Sequence, residues 1–562
     1  MVLYQVFPRY FGNTGKNIPN GSLEENGCGK FNDFTPIALK AIGDLGCTHI
    51  WFTGVLEHAT QTDYSAFGIR KDHPAIVKGK AGSPYAIKDF YDVDPDLVMD
   101  PANRIKEFTE LLERTHQVGL KAIIDFVPNH VARQYYSDMK PEAIRDFGAD
   151  DRYFYGFYPD NNFYYLPEQP FAPDLDLYAG EKEPYQEFPA KATGNDCFSA
   201  HPTINDWYET VKVNYGVDYQ GGGETHFYPV PTTWFKMLDI LHYWVRLGVD
   251  GFRCDMAEMV PVEFWGWVIP RVKKEKPDLT FIAEVYQPSR YWDYLHNGHF
   301  DLLYDKEGMY NTLRAVVQGH APASAISACW QSVNDFSKHM LHFLENHDEQ
   351  RIASDFFAAD PRKAFPAMLV LACQKINPLI IYAGQELGER GMDVEGFSGQ
   401  DGRSTIFDYW SVGSLVSWKN EGKWNEEFLS AEQLHIRHFY KRLFEIHRNE
   451  KTIREGDFFD LVYANVDNPD FDTTKTYAFI RKAGHECLLG LINFEETARR
   501  ISLNIPRHAF DCLAIEEGHL HTMTDLLTGE TYHLECSSVV PVVLELPAYG
   551  GLLLKGVAPD SV

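Results

Sequence analysis

The chain has no closely spaced cysteines: its nine are scattered, odd in number and without a CxxC pair. Neither a zinc site nor a disulfide framework is indicated, and Cys47, Cys254 and Cys373, inside apolar runs, read as buried free thiols. No stretch approaches the roughly 18 uncharged apolar residues of a membrane span. The start, MVLYQVFP, carries no basic leader with a long apolar run behind it, so a cytoplasmic protein is expected, the alternative being a periplasmic or secreted one whose leader lies outside this sequence. Positive charge is short as well. Lys and Arg number 52 against 80 Asp and Glu, a net charge of −28, and such a surface repels phosphate backbones and anionic headgroups. No nucleic-acid or membrane partner is expected. A Gly-rich phosphate turn after the first apolar run is also missing, which argues against an open dinucleotide-binding sheet.

What the chain does have is length, aromatic rings and regular alternation. Its 562 residues exceed one ordinary core, and 14% are aromatic, including 31 Tyr and 11 Trp, rings suited to stacking on sugar faces as well as to filling a core. Eight short β-rich runs (3–7, 48–52, 121–127, 249–254, 280–285, 300–304, 340–344 and 378–382) alternate with amphipathic helical patterns. Eight such units predict a closed (β/α)₈ TIM barrel, an α/β fold. Roughly 120 residues separate the third run from the fourth, too many for a structureless connection. The segment, rich in Tyr, Phe, Pro, Asp and Asn, is assigned to an inserted subdomain at the barrel mouth. Past a helix near 432–447 the pattern changes to strand-like segments at 476–481, 487–493, 526–534 and 539–546, which predicts a C-terminal antiparallel β-sandwich. The expected division is barrel 1–130, inserted domain 131–232, barrel 233–450 and sandwich 451–562.

Catalytic residues of such barrels stand at the C-terminal ends of strands. Run three ends in DFVPNH (125–130), run four in GFRCD (251–255), run five in AEVY (283–286), and run seven in ENHD (345–348). Arg253 and Asp255 are two apart, so both side chains point to one side, which on a barrel strand can be the lumen. A guanidinium beside Asp255 is expected to keep it ionised, as a nucleophile must be. Asp255 and Glu284 lie 29 positions apart, about one βα repeat, which puts them on adjacent strand ends. Such ends, about 4.8 Å apart, can set two carboxyl groups at the roughly 5–5.5 Å of a retaining glycosidase. Asp348, two units further on, is expected to hold hydroxyls of a distorted sugar ring together with His130 and His347, and with Asp255 to favour the protonated form of Glu284. One strand-end Asp is commonly a cap or an ion-pair partner, and one His in an Asn-His pair a satisfied structural residue. Four decorated strand ends out of eight are hard to reach by chance.

These four segments resemble, in order, the four signature regions of the α-amylase family, glycoside hydrolase family 13. YAGQELG (382–388) and SPYAIKD (83–89) add to the match, which covers nearly the whole chain. The resemblance implies a retaining glycoside hydrolase acting on α-1,4-glucosidic bonds of starch-derived polymers or maltooligosaccharides. In it Asp255 is the nucleophile, Glu284 the general acid/base and Asp348 the transition-state stabiliser, while Arg253, His130 and His347 bind the sugar and Tyr85 stacks on it. A transglycosylase or isomerase of the same family is the alternative, and a non-catalytic binding homologue a third reading. Where many family members carry Lys-His after the nucleophile, this chain has Glu258-Met259, a departure at leaving-group recognition. Family members often hold a structural Ca²⁺ through an oxygen at the position of Asn129. Ca²⁺ asks for six to eight oxygens, and acidic residues abound in 150–210, but an Asn129 bonded only to backbone is the equal alternative. The loop 13–32 is either a further ligand source or an ordinary turn cluster. No organic cofactor is expected.

Overall fold

The computed structural model describes residues 1–557, so positions 558–562 of the expected C-terminal domain lie outside the described residues. Eight parallel strands form the central sheet: β1 (Val2–Val6), β2 (His49–Phe52), β3 (Lys121–Phe126), β4 (Gly251–Cys254), β5 (Thr280–Ala283), β6 (Leu302–Tyr304), β7 (Met340–Leu341) and β8 (Leu379–Tyr382). Each pairs with its neighbours in sequence, and β1 also pairs with β8. The ring is completed at β7 and β8. His342 there forms a parallel bridge to Leu379, donating its N–H to Pro378 O (2.9 Å) and accepting from Ile380 N–H (2.8 Å).

Alternation along each strand separates two cores. Leu3, Trp51, Ile123, Ile282, Leu302, Tyr304, Leu341 and Ile380 form one apolar cluster from alternate positions around the ring, the filled barrel interior. Residues of the opposite parity, such as Tyr4, Ile50, Phe252 and Phe281, join the larger core beneath the helices. On β4 the inward positions hold Gly251 and Arg253. A Cβ on Gly251 would come within 2.4 Å of Thr280 O and 2.6 Å of Ile123 Cδ1, so the strand is tightest below the point where it delivers its charged side chains.

Between β3 and β4 the chain builds only strands of two or three residues, among them His130–Ala132 paired antiparallel with Thr210–Lys212, before the helix Thr232–Leu247. The helix Ala431–Asn449, opened by a Ser430/Gln433 capping box, leads into the C-terminal sheets. One runs in the order β9 (Asp457–Asp460), β10 (Thr476–Ala483), β11 (Glu486–Asn493), β16 (Gly550–Val557), β13 (His519–Asp525), β14 (Thr531–Cys536). The other pairs β12 (Arg499–Leu503) with β15 (Val542–Leu546). Their facing residues, including Ile480, Leu489, Ile501, Leu544 and Leu554, make the sandwich core.

One sequence expectation holds only in part. Of residues 526–534, positions 531–534 belong to β14, while 526–530 form the turn between β13 and β14. The Asp525 carboxylate accepts from Leu527 N–H, Thr528 N–H and Thr528 Oγ1, and Gly529 takes φ 83°. Leu526 and Leu527 pack on the barrel-side core instead of continuing an alternation. Strands β9, β12, β13 and β16 carried no expectation. None of the nine cysteines is disulfide-bonded, and Cys47, Cys254 and Cys373 are buried. No helix of the described residues is long and apolar enough to cross a membrane.

Candidate active site

The C-terminal ends of the strands surround a cavity of about 400 Å³, lined by Tyr85, His130, Asp255, Glu284, His347 and Asp348 together with Tyr286 and Trp207. All three candidate carboxylates and three of the four candidate sugar-binding residues therefore share one cavity. The fourth, Arg253, is fully buried beneath it.

Arg253 organises the floor. Nη1 lies 2.6 Å from Asp255 Oδ1, Nη2 lies 2.8 Å from Glu284 Oε1, and Nε donates to Tyr304 OH at 3.1 Å. The guanidinium also stands 5.3–5.6 Å from the ring centres of Trp51, Tyr85 and Tyr304. One planar fork thus spans both carboxylates, a geometry that an ammonium does not offer. Strand register brings the two acids level. Cys254 pairs with Ala283, and Glu284 N–H donates to Cys254 O at 3.2 Å.

Glu284 is bonded only by donors. Besides Arg253, Met256 N–H reaches Oε2 at 2.7 Å and the Tyr286 hydroxyl reaches Oε1 at 2.5 Å. Met256 is turned for this by a left-handed backbone, φ 43°, a conformation that costs a non-glycine residue free energy and concentrates at working sites. Two hydrogen-bond donors and the Arg253 fork thus hold the Glu284 carboxyl in place. The carboxyl pushed up is Asp255, chiefly by burial, with Arg253 opposing and Glu284 and Asp125 adding to the rise. The expectation that the guanidinium beside Asp255 keeps it ionised is corrected on this ground, since burial outweighs the pull of Arg253. Asp125, whose Oδ2 accepts from Trp51 Nε1 (3.1 Å) and Gly54 N–H (3.3 Å), has its other oxygen 3.6 Å from Arg253 Nη1. Three buried carboxylates around one guanidinium cannot all ionise cheaply, so the cluster retains a proton near neutral pH.

Across the cavity, Gln5 Nε2 meets His347 Nδ1 at 2.8 Å, which leaves the ring proton on Nε2, 2.6 Å from Tyr85 OH and 3.1 Å from Asp348 Oδ2. Burial and the nearby Arg253 hold His347 well below its usual range, in the neutral form. The Tyr85 ring stacks on His347 at 5.1 Å. Asp348 keeps its side chain 42% exposed, the most open of the three acids. His130 is pushed down to about 3, first by burial and then by Lys212 and Lys78, and its ring lies 5.1 Å from that of Trp207 in the inserted segment.

Asn129, the candidate metal ligand, has its side chain engaged by three groups of the protein. Its Oδ1 accepts from Lys212 Nζ at 2.5 Å, and its Nδ2 donates to Gly194 O at 2.8 Å and meets His130 Nδ1 at 3.1 Å. It is not bonded only to backbone, the other expectation. In the loop 13–32, Asn13, Asn17 and Asn26 bond the carbonyls of Trp410, Ser411 and Tyr409, so this loop is laced to the barrel rim by amides. A further acidic group, Glu57, Asp89, Asp92 and Asp138, brings oxygens within 4.8 Å of one another. Arg104 bonds Asp92 and Asp138 there, and Lys88 lies 3.9 Å from Glu57.

Tyr286, Trp207, Lys212 and Asp125 were not singled out from sequence. Tyr286 was within reach, because it stands two residues past Glu284 in the same strand-end motif. Lys212 and Trp207 belong to a segment without periodicity and carried no such signal.

Comparison with known proteins agrees with this geometry. The model of the alpha amylase catalytic domain matches residues 5–437. A cyclomaltodextrinase of Geobacillus thermopakistaniensis is 22% identical, covering 98% of this chain and 76% of its own length. An intracellular maltogenic amylase of Bacillus subtilis is 23% identical over 96% of this chain and 77% of its own. Among solved structures, an alpha-amylase of Geobacillus thermoleovorans complexed with acarbose superposes with a TM-score of 0.62 at 18% identity, covering 100% of this chain and 98% of that one, a likeness of fold. With the catalytic-domain model spanning most of its length, the chain belongs to the α-amylase family, glycoside hydrolase family 13, and is an enzyme of α-amylase type.

Proposed function

We propose that the enzyme hydrolyses α-1,4-glucosidic bonds of starch-derived polymers or maltooligosaccharides with net retention, through a covalent glycosyl-enzyme on Asp255. The observation that carries this is the pair of acids held side by side on the two Nη atoms of Arg253, facing one cavity. In the first displacement an Asp255 oxygen bonds the anomeric carbon as Glu284 gives its proton to the departing glycosidic oxygen. In the second, Glu284 takes a proton from water while the water oxygen bonds the anomeric carbon and releases Asp255. The proton retained by the carboxylate cluster serves this cycle. An approaching glycosidic oxygen beside Glu284, with the anomeric carbon against Asp255, favours that proton on Glu284.

Asp348, open to the cavity and beside the Nε2–H of His347, is assigned to the ring hydroxyls at the point of cleavage, where a contact that tightens in the transition state lowers the barrier. Tyr85 and His130 line the same space and are assigned to the same sugar. The relatives named cyclomaltodextrinase and maltogenic amylase support an α-glucan substrate, and the word intracellular in the latter's name supports a cytoplasmic setting. A sugar acceptor can replace water in the second displacement, which gives the transglycosylase alternative.

The test is the anomeric form first released from maltotriose, followed by NMR, with Asp255→Asn and Glu284→Gln as controls. Retention releases the α-anomer first, and each variant keeps less than about a thousandth of the parent rate. Early β-anomer, or a variant above that level with parental folding, would remove the double displacement. Product profiles with and without an added acceptor sugar separate hydrolysis from transfer.

A further inference from the structure

We propose that the ammonium of Lys212 is the resident structural cation joining the inserted segment to the barrel, so that the place around Asn129 takes no calcium. Lys212 ends the short strand Thr210–Lys212 and pairs in register with His130. It is 1% exposed, and its Nζ meets oxygens from three separate stretches of chain: Asn129 Oδ1 at 2.5 Å, Asp196 Oδ1 at 2.7 Å and Met259 O at 3.4 Å. The first follows β3, the second belongs to the inserted segment, and the third follows the nucleophile on β4. A metal ion at this junction would draw on these same oxygens, and the ammonium stands where they converge.

Charge and coordination both argue against sharing. The cage offers one carboxylate, one amide oxygen and one carbonyl, whereas Ca²⁺ takes six to eight oxygens at 2.3–2.6 Å. One ammonium against one carboxylate is already balanced, and a divalent ion beside it would meet strong repulsion in a buried setting. Asn129 is turned to suit the lysine, since its amide nitrogen is spent on Gly194 O and His130. Gly194 lets the inserted segment come this close: a Cβ there would lie 2.8 Å from His130 Cβ and 2.6 Å from Thr210 Oγ1. An ammonium carried on the chain needs no loading and does not leave at low calcium.

The clamp bears on the cavity. Thr210 and Trp207 of the same segment line it, as does His130 opposite Lys212. Lys212 is thus a positioning residue for one wall of the site.

Three readouts test this. The parent's melting temperature is expected to be unchanged, within about 1 °C, on adding EDTA or millimolar CaCl₂ where calcium bound at a micromolar Kd would shift it by several degrees. Lys212→Met, which keeps most of the stem and loses the charge, is expected to melt several degrees lower and to raise KM for maltooligosaccharides about fivefold, with kcat within about twofold. Lys212→Arg, larger but charged, is expected to lie closer to the parent than Lys212→Met does, the reverse of what a packing role alone would give. A parent that melts lower in EDTA, with that loss absent from Asn129→Leu, would place a metal at Asn129 and overturn the proposal. So would a Lys212→Met variant with parental melting temperature and KM. If Lys212→Met does not fold, the calcium response of the parent and the Lys212→Arg comparison still decide.

Discussion

The hydroxyl of Tyr286 donates to Oε1 of Glu284 at 2.5 Å. The two residues stand two positions apart just past the end of β5, so the chain keeps donor and acceptor close together. Tyr286→Phe keeps the ring and removes this bond, freeing the Glu284 carboxyl to turn about the contacts left by Met256 N–H and Arg253. We expect kcat on maltotriose to fall about tenfold, the equivalent of about 1.4 kcal/mol, with the melting temperature within a few degrees of the parent. A parental kcat would mean that the other two donors suffice to aim the acid.

How far such contacts could be read in the sequence depended on periodicity. Arg253, Asp255 and Glu284 were legible because a strand fixes side-chain direction every second residue and a βα repeat fixes height. The eight barrel strands were legible for the same reason. Asn129 and Lys212 stand 83 residues apart, brought together by the paired strands His130–Ala132 and Thr210–Lys212, which at three residues each are too short to show an alternation. The charge balance of the cluster was misread for a related reason: Asp125 was seen as part of a motif, and only the register of β3 against β4, with Asp125 opposite Arg253, makes it a third claimant on one guanidinium. At 526–530 the pair Leu526 and Leu527, packed on the barrel-side core, imitates the start of a strand.

Arg253→Lys retains the charge and loses the fork. A single ammonium cannot bond Asp255 and Glu284 through two nitrogens and at the same time reach Tyr304 OH, and the buried site admits no water to make up the loss easily. A buried pair left incomplete costs about 3–5 kcal/mol. Activity is expected to drop at least a hundredfold, with a lower melting temperature. Both are read on the same preparation by initial rates and calorimetry, and a loss of activity below tenfold would mean that the carboxylates hold their places without the bridge.

Asp125 gives the protein a pH dependence with a definite sign. Burial pushes its carboxyl up to about 7, against the pull of Arg253, while in the unfolded chain the group titrates near the ordinary value of about 3.9. The folded form therefore holds a proton that the unfolded form has released, and the associated stability is full below about pH 4 and is lost as pH rises through about 7. Asp125→Asn resembles the protonated state at every pH and escapes that loss. Urea unfolding of parent and variant at pH 4.5, 6 and 7.5 is expected to show the difference moving in favour of the variant by up to about 1.4 kcal/mol per pH unit within this window. A difference moving the other way would place the negative charge on Asp125 and the retained proton elsewhere in the cluster.

Trp207 tests how much of the sugar site belongs to the inserted segment. Its half-buried ring lines the cavity 5.1 Å from the ring of His130. A ring that stacks on a sugar face contributes equally before and at the transition state, so its loss should weaken binding without slowing the chemical step. Trp207→Ala is expected to raise KM for maltotriose about tenfold, or about 1.4 kcal/mol, and to leave kcat within about twofold. A matching fall in kcat with KM unchanged would instead mean that the ring bears on the distorted sugar alone, and would move Trp207 from the binding wall to the point of cleavage.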